Sequence, residues 1–386
     1  MALVSQRYLA AMSQVQPDLA VYFLPAARAI ARGGSPYGVE GYFYTPLLAA
    51  VLVPMEAAQW AQIAWTAAML AAACGMAFFA VLACTPNWSW LHRAWVFAVA
   101  IVTLLWSWPI TMEFFLGQVN LFVGLAIALA AFFASRGYFF STGLGLGLAA
   151  AIKTWPVLLL LWVFRRGGRE RIRTLSAVLL WGAIMIALAV SLGGVPTLVS
   201  MITSPFRGTN QDVLAYSVWG LGRALFEGVQ DFPPLVVSPL AEVLVSVLSA
   251  LVVAGLLALA LRAPGTDVIS LYNVVFAVIL LIPISHQVYV LLPLPALWWW
   301  LARTAQAPRE IRNWCVTSVL VGWWIVTFRL VEFGLDKQTA VLTVVGLVVA
   351  TLVAAGASTI GAATVRSPQP GVEPSGAGIS RTGGLA

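Results

Sequence analysis

Apolar runs of membrane-spanning character recur along almost the whole chain, at 57–84, 94–112, 116–135, 174–193, 239–261, 268–284, 287–302, 313–334 and 338–360. Crossing a bilayer takes about 20 such residues as a helix, which satisfies its own backbone hydrogen bonds inside hydrocarbon. Charged residues make up 9% of the chain and hydrophobic ones 61%, against about 25% charged in a soluble domain. The expected fold is all-α: a polytopic integral membrane protein, multi-pass in the plasma membrane and bathed in its lipids. Seventeen tryptophans suit the aromatic belts at the two interfaces. No basic stripe lies outside the loops, so nucleic acid is not an expected partner. The three cysteines build no disulfide framework, and no Cys/His cluster has metal-ligand spacing. Neither a metal nor a cofactor is expected.

One stretch breaks the apolar pattern. Gln16–Pro46 carries Asp18, Arg28, Arg32 and Glu40 among aromatic residues. Over 18–32, Leu19, Tyr22, Phe23, Ala26 and Ile30 recur at helical spacing, and Gly33, Gly34 and Pro36 stop the run. The pattern predicts an amphipathic helix along the membrane surface, forming the floor of an active site. Pro46–Pro54 is too short to cross a bilayer and reads as a dipping piece. The chain thus divides into an N-terminal extracytoplasmic segment (1–45), a transmembrane helical domain (46–360) and a Gly/Ser/Pro-rich, disordered cytoplasmic tail (361–386).

Basic residues set orientation. Arg165–Arg173 and the group Arg303, Arg309 and Arg312 are expected in the cytoplasm, with Arg93, Arg136 and Arg262 on the same side. A continuous helix over 139–165 would put Arg136 and Arg165–Arg173 on opposite faces. A break at Lys153–Pro156 returns the chain and keeps them together. Pro156 cannot continue a helix, and the residue before it resists the helical region, so a broken hairpin is expected, with Lys153 in the outer half of the membrane. The same count brings Asp18–Thr45, Glu113–Asn120, 195–238 and Ser285–Gln287 to the outer face. Polar groups that are costly in a membrane mark function, and here four stretches deliver them to one side.

Among these, Asp18 reads as a general base or as a helix cap. Lys153, costly amid apolar sequence, meets an anion or snorkels to the interface. His286 is a second phosphate-side candidate, and Arg223 a third, facing either a phosphate or anionic lipid. Gln118 and Asn120 offer amides suited to sugar hydroxyls, or an ordinary polar helix entry. Glu113 is a second carboxylate or an outward surface charge. Tyr22 and Tyr44 complete the sugar and acceptor candidates.

In order along the chain, Asp18-x-x-x-Tyr22, Gly34-x-Pro36-Tyr37, Tyr44-Thr45-Pro46, Gly117-Gln118-x-Asn120, Lys153 before Pro156, Ser217, and His286 ahead of Tyr289–Pro293 resemble glycosyltransferase family 87 of the GT-C superfamily. The family usually has two prolines where Thr45-Pro46 stands. Typified by actinobacterial mannosyltransferases, it implies a GT-C-type bundle, a polyprenyl-phosphate sugar donor, a glycolipid or lipoglycan acceptor, and the aspartate of the first outer loop, here Asp18, as base. It also implies a membrane helix ahead of that aspartate. Met1–Val15 has no apolar run of that length, and the expected reason is a start assigned too far downstream. A phosphate leaving group needs no general acid, so one carboxylate and nearby cations suffice. Mannose is the expected sugar, with arabinofuranose from a decaprenyl-phosphate donor as the close rival. A lipid-linked-sugar flippase or transporter is disfavoured, because no internal repeat is visible and the polar groups gather on one face.

Overall fold

A computed structural model describes residues 15–207, 215–228, 233–262, 268–283, 285–332 and 336–365. The expectations for Met1–Gln14 and for the tail beyond Val365 lie outside these residues. Every regular element among them is helical. A π-helical turn at Leu19–Phe23 runs into α1 (Leu24–Ala31), and α2 (Pro46–Leu52) is a short dipping piece. Then come α3 (Ala61–Cys84), α4 (Trp90–Leu105), α5 (Trp108–Leu116), α6 (Asn120–Ser135), α7 (Phe139–Ile152), α8 (Leu160–Phe164) and α9 (Gly168–Arg207). The remaining helices are α10 (Val218–Phe226), α11 (Pro239–Arg262), α12 (Val268–Leu281), α13 (Leu294–Gln306), α14 (Ile311–Glu332) and α15 (Asp336–Val365).

By length and apolarity α3, α9 and α11 can each cross a membrane alone, and α4 with α5 makes a fourth candidate bent by 63°. The continuous span expected at 94–112 is therefore broken, at Trp106–Ser107, where the Ser107 hydroxyl accepts the Ile110 N–H and Pro109 opens the new helix. The span expected at 287–302 is also divided, into a 3-10 turn at Gln287–Leu291 and α13. Helices such as α6 and α7, at about 1.5 Å per residue, fall short of a 30 Å hydrocarbon core. They stop where the polar residues gather.

Contacts fix the directions. Trp65 meets Phe122, Gly75 meets Leu125 and Phe79 meets Phe132, so α3 and α6 run side by side in the same sense. Gly143 lies against Thr174 and Gly147 against Trp181, so α7 and α9 are likewise parallel. Between α7 and α9 the chain must therefore return. The helix stops at Ile152, Lys153 is extended (φ −142°, ψ 133°), and a 3-10 turn over Trp155–Leu159 leads back through α8. Arg166 ends beside Phe139, at the other end of α7, 5.2 Å above its ring. The chain is a hairpin here, with Lys153 at its tip. The glycines of Gly143–Gly147 permit it, since a Cβ would fall 2.2 Å from the Thr174 carbonyl at Gly143 and 2.8 Å from that of Ala126 at Gly145. Small residues at such spacing let membrane helices approach closely.

The outward faces of α9 and α11 expose Leu179, Ile186, Val190, Leu244, Leu248 and Leu251, as lipid-facing helices do. The 18–32 segment differs from its expectation. Leu19, Phe23, Ala26 and Ala27 are fully buried against the bundle, so its apolar face packs on protein and not on lipid.

Candidate active site

The site gathers at the tip of the α7–α8 hairpin. Its anchor is the Tyr42–Pro46 turn, where the Thr45 hydroxyl donates to the Ala151 carbonyl, a C-terminal acceptor left over by α7. The Tyr42 hydroxyl in turn donates to the Thr45 carbonyl at 2.6 Å. This sets Tyr44 beside Lys153, whose Nζ lies 5.4 Å from the Tyr44 ring and 4.2 Å from that of Tyr289. Lys153 Nζ also donates to Asn120 Oδ1 at 3.2 Å.

Asp18 enters from the N-terminal segment. Its backbone is already helical (φ −70°, ψ −36°) and its side chain makes no capping hydrogen bond, which removes the helix-cap reading. Instead Oδ2 accepts from Gln118 Nε2. Gln118 Oε1 accepts from the Tyr44 hydroxyl at 3.0 Å. Burial pushes the Asp18 carboxyl up to about 6, against the opposing pull of Lys153 and the Gln118 hydrogen bond. That value leaves it ionised at neutral pH yet basic enough to take a proton.

Gln118 and Asn120 are engaged within the protein. The Asn120 amide donates to Glu113 Oε2 at 2.9 Å, and the Leu121 N–H donates to Glu113 Oε1 at 3.2 Å. Glu113 is fully buried, neither a surface charge nor open to a ligand. Its work is to close the start of α6 and to aim Asn120 Oδ1 at Lys153. The turn between α5 and α6 depends on Gly117, left-handed at φ +74°, whose missing Cβ leaves room for Gln16 2.9 Å away.

His286 sits in the Ser285–Gln287 turn, stacked on Tyr289 at 6.1 Å and 20°. Burial, with the charge of Lys153 adding to it, holds its imidazole down to about 4, so it is neutral at physiological pH. Trp155 meets the same tyrosine edge-on at 5.9 Å. Tyr22 packs its ring over Gly41, one turn from Asp18. Arg223 pairs with Glu227 one turn on, at 2.7 Å. The start of its helix approaches His286, since Tyr216 N donates to the Ser285 carbonyl at 2.6 Å.

Sequence reasoning did not single out Gln16 or Tyr289. Gln16 is buried and donates to Thr66 Oγ1 (3.1 Å) and the Phe114 carbonyl (3.0 Å), fixing where Asp18 enters. Its signal was a glutamine two residues before the aspartate. Tyr289 entered only as the first residue of the Tyr289–Pro293 stretch, with no role of its own.

A carboxylate, a lysine and an imidazole thus stand together at one end of a helical membrane body. The family model of glycosyltransferase family 87 matches residues 42–283. The chain belongs to that family, and is a membrane glycosyltransferase. Asp18 lies ahead of the matched range and His286 behind it, while Tyr44, Glu113, Gln118, Asn120 and Lys153 lie inside. No curated protein matches the chain.

Proposed function

We propose that the protein transfers a sugar, mannose before others, from a polyprenyl-phosphate donor to a hydroxyl of a glycolipid or lipoglycan acceptor. In this reading the Lys153 tip lies on the extracytoplasmic face of the plasma membrane. The observation that carries it is Asp18: an uncapping carboxylate, raised toward neutrality and within the electrostatic reach of Lys153.

The Asp18 carboxylate takes the proton of the acceptor hydroxyl as its oxygen bonds to the anomeric carbon. The bond from that carbon to the phosphate oxygen breaks, and the phosphate leaves with the electron pair as a monoester carrying one more negative charge. Lys153 offsets that charge, and the neutral His286 can donate one hydrogen bond to it. A single displacement inverts the anomeric centre. The arginine-poor apolar flanks suit an isoprenoid tail.

The test is incubation of the purified chain, in nanodiscs, with synthetic polyprenyl-phosphate mannose and, separately, decaprenyl-phosphate arabinose, each with a glycolipid acceptor. Product of inverted configuration from the mannose donor is the expected result. Product from the arabinose donor alone would reassign the sugar, and release of free sugar without transfer would overturn the scheme.

A further inference from the structure

The Lys153 group accounts for the base and the phosphate but leaves the acceptor without a seat. A cleft of about 240 Å³ opens next to it, lined by Tyr37, Glu40, Tyr42, Phe43, Ser200 and Ser204. One wall is the 37–43 loop, which turns at Gly41 (φ +79°) where the Tyr22 ring leaves no room for a Cβ. The other is the last part of α9. That part exists as a wall because α9 breaks at Gly193–Gly194, with Gly194 at φ +67° and ψ −157°, and resumes directly after them. The Thr197 hydroxyl, 3.0 Å from that of Ser35, ties the two walls together.

The cleft joins the catalytic group through one layer of residues. The Tyr37 hydroxyl donates to the Tyr44 carbonyl at 3.0 Å, and the Tyr44 hydroxyl reaches Gln118, which holds Asp18. Its chemistry is the reverse of the phosphate side. Among the described residues Glu40 is the only charged one lining it, and its carboxylate disfavours an anion there. Aromatic faces, two serine hydroxyls and a carboxylate that only accepts hydrogen bonds match a neutral ring with apolar C–H faces and hydroxyl edges. Phe43 is 40% exposed, an aromatic surface without a covering side chain.

We infer that this cleft binds the neutral, hydroxyl-rich glycan end of the acceptor, with Glu40 and Phe43 as its specificity-determining contacts. The inference rests on the reading of the Asp18 group as the transfer centre. It assigns the two substrates to opposite sides of that group, the anionic donor by Lys153 and the neutral acceptor by Glu40. A glycolipid headgroup and the free end of a longer glycan present the same hydroxyls.

The experiment measures binding and so does not depend on turnover. Full-length protein in nanodiscs is titrated with an octyl mannobioside, with free mannobiose, and with polyprenyl phosphate. Glu40→Gln and Phe43→Ala, both at exposed positions, and Ser200→Cys carrying a bulky maleimide are compared with the parent, with melting temperature as the folding check. The expected result is a roughly tenfold weaker dissociation constant for the glycan in each variant, about 1.4 kcal/mol, with polyprenyl phosphate affinity within about twofold of the parent. Binding of free mannobiose identifies a soluble glycan end, and binding of the octyl glycoside alone identifies a glycolipid; either supports the assignment. Unchanged glycan affinity in folded variants, loss of polyprenyl phosphate affinity in its place, or no glycan binding by the parent overturns it. Failure of the transfer scheme would show differently, as glycan binding without product.

Discussion

Glu113 and Asn120 form a buried pair, Oε2 to Nδ2 at 2.9 Å, that sets the direction of the lysine at the site. Asn120 can turn its oxygen to Lys153 only because its amide is already held. Glu113→Ala leaves that amide and the Leu121 N–H without their acceptor. An unpaired buried donor costs roughly 1–3 kcal/mol, so a lower melting temperature and loss of transfer are expected together. Glu113→Gln keeps one acceptor oxygen, and should recover most of the stability while turnover stays depressed. A Glu113→Gln enzyme with normal turnover and a raised acceptor KM alone would instead put Glu113 in contact with acceptor.

Asp18→Asn should abolish transfer while donor binding persists. Loss of proton transfer typically removes a factor of about 10² to 10⁴. The side chain makes no capping bond to lose, and burial already opposes its ionised form. Melting temperature at neutral pH should therefore stay level or rise. Product formation and thermal melting, measured side by side, check this; near-parental turnover would show that the base is elsewhere.

The rate should fall as pH drops through about 6, because only ionised Asp18 accepts a proton. Lys153 lowers the Asp18 pKa, so Lys153→Met should move that inflection to higher pH as well as weaken polyprenyl phosphate binding by about tenfold or more. His286 is already neutral above about 4 and should add no inflection between pH 5 and 8. A pH profile of kcat/KM for both proteins reads all of this. An inflection unmoved in Lys153→Met would break the link between lysine and base.

Gly143→Val tests the packing that supports the hairpin. Even a Cβ there would fall 2.2 Å from the Thr174 carbonyl, so α7 and α9 must separate. Overpacking of this kind costs typically about 1–3 kcal/mol. A lower melting temperature with reduced activity is expected, whereas Gly182→Ala, in open space on α9, should change neither.

Much of this was legible in the sequence because apolar length and arginine placement are coarse signals that survive tertiary detail. The stop at Lys153 followed from Pro156 together with the charge count, and Lys153, Asp18, Gln118 and Asn120 gather as polar residues spared from lipid. The division at Trp106–Ser107 was not legible, since both sides are equally apolar and the bend comes from Ser107 and Pro109. Neither was the role of Glu113: an acid between Met112 and Phe114 reads as exposed until the partner that holds it is visible. The covered face of 18–32 also escaped, because a stripe of leucine, phenylalanine and alanine suits protein as well as lipid.

The out-and-back path from Phe139 to Phe164 has a consequence for how the molecule is made. A loop that enters and leaves by the same door contributes nothing to the tally of crossings, so everything from Gly168 onward inherits its sidedness from that turn. Were the segment to insert as a single straight rod, the latter half of the polypeptide would be threaded upside down, and His286 would emerge across the bilayer from Lys153. The proline two residues past Thr154 thus acts at birth as well as in the finished protein, as a point on the biosynthetic line that leaves Lys153 and His286 at the same end of the bundle.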